Sequence, residues 1–341
     1  MTTFSDEHIA GQRLMLGFDG YELNSELKYL IREMKIGGII LFSRNIPGSP
    51  QNPEQLRQLC QSAQEYAASC GLPPLFISID QEGGRVARLK SPFTQFSGNP
   101  AIKSESEAEL VAKTMASDLN SVGINMNLAP VMDVADDKSL MADRVFGNDP
   151  KWVSRLGVKM IETLQSNGIM AVAKHFPGIG RTHTDSHLDL PVFDAAKAEM
   201  DKLELLPFNA AVQHKTAGMM LSHILYKQLD PDFPASLSVP IARDLLRCEM
   251  GFDGLVITDD LDMGAIAKHY DFNTCIRQIL LAEIDIVLIC AKSPKIETAF
   301  EEILKNFRAS QDMKTKGLSS FNRISEAKRR YLNLTPPAPL P

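Results

Sequence analysis

Eight short apolar runs, each ending in polar or small residues, alternate along this chain with stretches of helical period. The runs are Arg13–Gly17, Gly38–Phe42, Leu75–Ile79, Asn125–Pro130, Met170–Ala173, Ala217–Leu221, Leu255–Thr258 and Asp285–Cys290. Between them apolar side chains recur at helical spacing, as at Leu23, Leu27, Leu30, Ile31 and Met34, and at Leu56, Leu59, Cys60, Ala63 and Ala67. Further helical stretches run through Leu110–Leu119, Val153–Leu164, Ala195–Gln213, Pro240–Cys248, Ile266–Ala282 and Ile296–Phe307. Eight strand–helix units within 341 residues predict an α/β fold, a single-domain (β/α)8 barrel of the TIM type. An open, doubly wound sheet is the competing arrangement. No Ser/Gly linker or composition shift divides the middle, so residues 1–334 read as one domain and the Pro-rich 335–341 as a loose tail.

Hydrophobic residues at 44% and charged residues at 23% supply a globular core. A net charge of −6 without a long basic run argues against nucleic acid as a partner. The basic residues near the end, Arg323, Lys328, Arg329 and Arg330, predict a solvated helix face. The polar start, Met1 to Gln12, lacks the order of a signal peptide, and no apolar run reaches membrane-spanning length. Five cysteines lie scattered without a paired metal spacing, the pattern of reduced thiols in a cytoplasmic protein.

Barrel enzymes carry their chemistry at the C-terminal ends of the strands. Here the third run ends in Asp80-Gln81-Glu82-Gly83-Gly84-Arg85, the fourth leads into Asp133, and the fifth ends at Lys174-His175. The sixth ends at Ser222-His223 and the seventh at Thr258-Asp259-Asp260. Five consecutive strands therefore bring ionisable groups to one mouth. The densest segment is Lys174–His187, with one Lys, three His and one Asp interrupted by Pro177, Gly178 and Gly180. Gly83-Gly84 is no dinucleotide fingerprint and no phosphate loop is present, so no cofactor is expected. Carboxylates facing Arg88, Arg144 and Lys174 suit a polyhydroxylated substrate, with one carboxylate placed to attack or stabilise an anomeric carbon.

Four of these segments, in order, resemble glycoside hydrolase family 3. They are Asp80-Gln81-Glu82-Gly83-Gly84-Arg85-Val86, Asp143-Arg144-Val145-Phe146-Gly147, Lys174–His187 and Thr258-Asp259-Asp260-Leu261-Asp262-Met263. Gly37–Phe42 resembles the family's second strand, and the likeness extends from about Met15 to Ile289. It is greatest to the single-domain β-N-acetylglucosaminidases of bacterial peptidoglycan recycling. The resemblance implies a retaining, metal-free exo-glycosidase that removes terminal β-linked N-acetylglucosamine from muropeptides. It implies Asp259 as nucleophile, His187 on a mobile loop as general acid/base, and Asp185 as its partner. Asp80, Arg88, Arg144, Lys174 and His175 fall on sugar-binding positions. The chain departs from many relatives at Ile179, where they carry His, which implies altered loop packing rather than lost activity.

An imidazole titrating near neutrality can protonate a leaving oxygen and then take a proton from water. Asp185 and His187, two apart, would share one side of an extended segment, with Pro177, Gly178 and Gly180 as bends and hinges. His183 and His187 would suit a metal on a helix, but Pro177, the glycines and Pro191 disfavour one. Asp260, Asp262 and Glu82 read as structural, the last as a brace for Gly83-Gly84. His223 reads equally as core histidine or ligand contact, and His8, His214 and His269 as surface residues. The expectation is a cytoplasmic monomer acting on a small carbohydrate. The rivals are a β-glucosidase or glycoside phosphorylase on the same scaffold, and a non-catalytic sugar-binding or sensor protein.

Overall fold

The computed structural model describes residues 4–182 and 184–332. The expected tail 335–341 and His183 lie outside the described residues. Eight parallel strands form one sheet: β1 Leu14–Leu16, β2 Gly38–Leu41, β3 Phe76–Ile79, β4 Met126–Asn127, β5 Met170–Phe176, β6 Gly218–Leu221, β7 Leu255–Thr258 and β8 Val287–Ile289. Neighbours in sequence are neighbours in space, and β8 pairs with β1 in the register Leu14↔Val287. The remaining seam, β7 to β8, is joined by an Ile257↔Ile286 bridge and by Leu288 N–H donating to Thr258 Oγ1 at 3.0 Å. The sheet thus closes on itself, which excludes the doubly wound alternative.

Each expected run yields a strand. The fifth runs three residues beyond the expected Met170–Ala173, so Lys174 and His175 belong to the strand and not to the turn after it. The pairing of β5 with β6 shifts register between Ala173 and Phe176, which lets the strand continue past the irregularity.

Alternation along the strands divides the core in two. Outward residues such as Leu14, Leu16, Ile39, Leu41, Val256 and Val287 pack against the helical shell. Inward residues Met15, Ile40, Phe76, Met170, Val172, Leu255, Ile257 and Leu288 fill the lumen. The shell helices start as their sequences dictate. Asn52 caps Pro53–Ser69 and Asp149 caps Pro150–Ser166, each with proline as first helical residue, where no N–H is needed.

A final helix, Gln311–Tyr331, brings Ile324, Ala327 and Tyr331 against the lumen residues at the N-terminal end of the barrel. The expected solvated face is therefore corrected in part: Arg329 and Arg330 are exposed, whereas Lys328 and Arg323 turn inward. Lys328 is buried, with Nζ donating to Gln12 Oε1 at 2.7 Å, and Arg323 Nε donates to Asp285 Oδ1 at 2.8 Å. Closing a barrel floor requires inward contacts, and these long stems provide them.

Candidate active site

The inward alternation that fills the lumen with apolar side chains continues past the strand ends with charged ones. After Phe76 and Ser78 come Asp80 and Glu82; after Met170 and Val172 comes Lys174; after Leu255 and Ile257 comes Asp259. All four line one cavity of about 410 Å³ at the mouth, floored by Ile40, Leu128, Met220 and Leu288. Arg88, Arg144, His175 and His187 line it as well. Of the expected site residues only Asp185 does not, because it stands behind His187 in an adjoining cavity of about 280 Å³.

The sugar-binding candidates form a connected ion network. Lys174 Nζ lies 2.7 Å from both Asp80 Oδ1 and Glu82 Oε1. Arg144 grips Glu82 with two parallel bonds, Nε to Oε2 at 2.9 Å and Nη2 to Oε1 at 2.7 Å. Arg88 Nη2 reaches Asp80 Oδ2 at 3.3 Å, and its guanidinium lies over the Phe42 ring. Burial alone would push the Glu82 carboxyl up, but Lys174 and Arg144 outweigh it and hold it down at about 2. The Lys174 ammonium is likewise disfavoured by burial, yet Asp80 and Glu82 raise it above its ordinary value. Pairing fixes the rotamers, so the outward atoms of these groups are presented to a ligand without further ordering.

Asp259 sits differently. It is half-buried, and its Oδ1 accepts the Asp260 N–H at 2.8 Å. It has no ion-pair partner within contact distance among the described residues, and its second oxygen is left for the cavity it lines. Burial pushes this carboxyl up, but His223, His175, the Asp260 N–H and Lys174 together hold it below the ordinary aspartate range. The result is an ionised, uncommitted carboxylate. Its neighbour Asp260 has the opposite character. Burial pushes it up to about 6, and its Oδ1 accepts the N–H groups of Cys290 and Asp262, a bracing role.

His187 lies on the loop between β5 and the helical segment that follows, with 69% of its side chain exposed. Its Nδ1 is 2.8 Å from Asp185 Oδ1, and the same oxygen accepts the His187 N–H at 2.9 Å. The pair meets through an Asx turn and not, as expected, along an extended segment, because the Asp side chain folds back on the backbone two residues on. With Nδ1 engaged, Nε2 is the nitrogen free to exchange a proton. The glycines also have a packing role. Gly178 adopts φ +124°, and a side chain at Gly180 would strike the Val134 carbonyl, so glycine suits both positions. Ile179 packs against the apolar cluster of Val131, Ala135, Met141 and Val145 beneath the loop.

Sequence reasoning gives Glu82 and Asp133 no role toward the ligand and reads His223 either way. Glu82, read as a loop brace, is the hub between Lys174 and Arg144; its i, i+2 relation to Asp80 was the available signal. Asp133 is fully buried, and its Oδ2 lies 2.8 Å from His175 Nδ1, orienting that ring. His223, left open, is buried between Ser236 Oγ at 2.6 Å and the Asp260 carbonyl at 2.8 Å. Burial lowers its basicity, against the pull of Asp259. His8 is only half-buried and stacks on Phe4, while His214 and His269 are exposed and lie against Glu162 and Asp189. Among the described residues no group of three or more His, Cys, Asp or Glu side chains could hold a metal ion.

Residues 6–325 match the Glycosyl hydrolase family 3 N terminal domain. A beta-hexosaminidase of Alkalilimnicola ehrlichii is 36% identical over 287 residues, covering 81% of this chain and 80% of that protein. One from Pseudomonas aeruginosa is 32% identical over 326 residues, covering 94% of this chain and 95% of its own length. Among solved structures, a family 3 beta-N-acetylglucosaminidase from Paenibacillus superposes with a TM-score of 0.92 at 34% identity, over 99% of this chain but 65% of that longer one. A beta-N-acetylhexosaminidase from Beutenbergia cavernae gives 0.87 at 28% identity, over 96% of this chain and all of that one. With a closed parallel barrel and ionisable groups gathered at its mouth, the chain belongs to glycosyl hydrolase family 3 and is an enzyme of that family.

Proposed function

We propose that this enzyme is a retaining β-N-acetylhexosaminidase that removes terminal N-acetylglucosamine in two steps. In the first, an Asp259 oxygen attacks the anomeric carbon while Nε2 of protonated His187 gives its proton to the departing glycosidic oxygen. The electron pair of the broken C–O bond leaves with the aglycone, and a glycosyl ester of Asp259 forms. In the second, neutral His187 takes a proton from water as the water oxygen attacks the same carbon. The Asp259 carboxylate is released and the configuration is retained. Asp185 holds the ring in the tautomer that frees Nε2.

The observation that carries this reading is the unpaired, ionised Asp259 in the same cavity as His187. A binding module has no use for such a group. The cavity holds about one sugar ring, within the usual range for ligand sites of ~300–1,000 Å³, which supports exo action. The relatives' names support an N-acetylhexosamine substrate, and the motif resemblance supports muropeptides as its source. All five cysteines are free thiols, which supports work in the reducing cytoplasm.

The test is trapping with 5-fluoro-N-acetylglucosaminyl fluoride, followed by peptide mass spectrometry. An adduct on the peptide bearing Asp259 is expected. An adduct on another residue, or product of inverted configuration, overturns the mechanism. Release of N-acetylglucosamine from a purified muropeptide, compared with glucose release from a β-glucoside and with and without phosphate, tests the substrate.

A further inference from the structure

The loop bearing Asp185 and His187 is docked at both ends, on different neighbours. Its first leg rests on the segment after β4, where Ile179 N–H donates to Asp133 Oδ1 at 2.8 Å. Its second leg rests on the continuation of β7. There the N–H groups of Gly264 and Ala265 donate to the carbonyls of His187 and Ser186 at 3.2 and 3.0 Å. Lys268 Nζ donates to the Leu188 carbonyl at 2.7 Å, and His269 Nε2 lies 2.5 Å from Asp189 Oδ1. A side chain at Gly264 would place its Cβ 2.6 Å from the His187 carbonyl oxygen and 2.8 Å from that of Leu188. Glycine is therefore required for this approach.

The seat begins five residues after Asp259, on the same stretch of chain. Two-step displacement requires nucleophile and acid/base at a fixed separation of about 5–5.5 Å when both are carboxyls. A misplacement of about 1 Å can cost about 10²-fold. Burial does not fix His187, which is largely exposed. Asp185 orients its ring but lies on the same loop, so it cannot register that loop against β7. Among the described residues, the contacts from Gly264 to His269 do so from the nucleophile's own side.

We propose, resting on the reading of His187 as acid/base, that Gly264, Lys268 and His269 are positioning residues for the reaction. They hold the His187 backbone at its working distance from Asp259. None of the three lines the sugar cavity, so they act through the loop alone. Because the segment that follows β7 carries both the attacking carboxylate and the seat, a displacement of that segment moves both groups together.

The test exploits the chemistry of the leaving group. A 4-methylumbelliferyl β-N-acetylglucosaminide needs more help from the acid than its 2,4-dinitrophenyl counterpart, which departs without a proton. The Lys268→Met/His269→Leu double variant and Gly264→Ala are each assayed on both substrates, with melting temperature as the stability control. The expected result is a loss in kcat/KM of at least about tenfold on the first substrate and less than about twofold on the second. Unchanged melting temperature should accompany it in the double variant, whose side chains are exposed. Equal losses on both substrates, or no loss on either, overturn the proposal. If Gly264→Ala fails to fold, the double variant decides alone. His187→Ala serves as reference: if it does not separate the two substrates, the acid/base reading itself fails. If it does and the double variant does not, only the seat fails.

Discussion

Both ends of this barrel bury charge, and they use it in opposite ways. At the N-terminal end Asp285 is fully enclosed and saturated. Its Oδ2 accepts Arg247 Nη2 at 2.5 Å and the Val256 N–H at 2.8 Å, while Oδ1 accepts Arg323 Nε at 2.8 Å. At the mouth Asp259 accepts one backbone N–H and is held ionised by groups that stay at a distance. A saturated carboxylate is a fastener, since any reaction would first have to break its bonds. An ionised carboxylate left incompletely paired is free to react, which is the ground of the role proposed for Asp259. What distinguishes the site is therefore the uncommitted lone pair, and buried charge by itself distinguishes nothing.

The largest expected effect tests that distinction directly. Asp259→Ala should lower kcat by at least about 10⁴-fold, the scale seen when a nucleophile is removed elsewhere. Its melting temperature should stay level or rise, because an incompletely paired buried charge is relieved. Calorimetry should still detect N-acetylglucosamine binding through the Lys174, Arg144 and Asp80 network. A variant that loses stability in proportion to activity would put Asp259 among the fasteners.

At the other end the order should reverse. Asp285→Asn leaves Arg247 and Arg323 facing a neutral group in a buried setting, and breaking such a pair costs about 3–5 kcal/mol. The denaturation midpoint should fall accordingly, while turnover per folded molecule, counted by active-site labelling, stays at the wild-type level. A change in turnover would mean that the two ends communicate.

The two ends also differ in how far the sequence announces them. The eight strands are legible because inward and outward positions are both apolar and the runs are short, and periodicity records both facts. Asp80, Lys174 and Asp259 are legible because the same alternation carries them into the mouth. Glu82 and Asp133 are harder, since a charge in a loop reads as solvated until its partner, 62 residues away for Arg144 and 42 for His175, is placed beside it. The Asp185–His187 contact was expected for the wrong local reason, an extended segment instead of an Asx turn. The floor is least legible of all. Lys328 meets Gln12 across 316 residues, and no local pattern distinguishes a basic helix end in water from one that plugs a barrel.

That plug provides the smallest and most specific test. Lys328 Nζ donates to Gln12 Oε1 and lies 5.0 Å from the centre of the Phe76 ring, with no carboxylate in pairing distance among the described residues. Burial pushes its ammonium down from 10.5 to about 7. The folded-state value thus lies below the unfolded one. Below pH 7 both states hold the proton and the folded state carries the full cost of a buried charge. Between about pH 7 and 10.5 the unfolded chain binds more protons, so stability rises with pH, at most by about 1.4 kcal/mol per unit. Lys328→Met removes the charge and keeps most of the stem. The variant should be more stable than the wild type at pH 6, with the gap narrowing toward pH 10 and kcat/KM unchanged throughout. An offset that stays constant across this range would show that the ammonium does not titrate there, and would reduce the floor to a matter of packing.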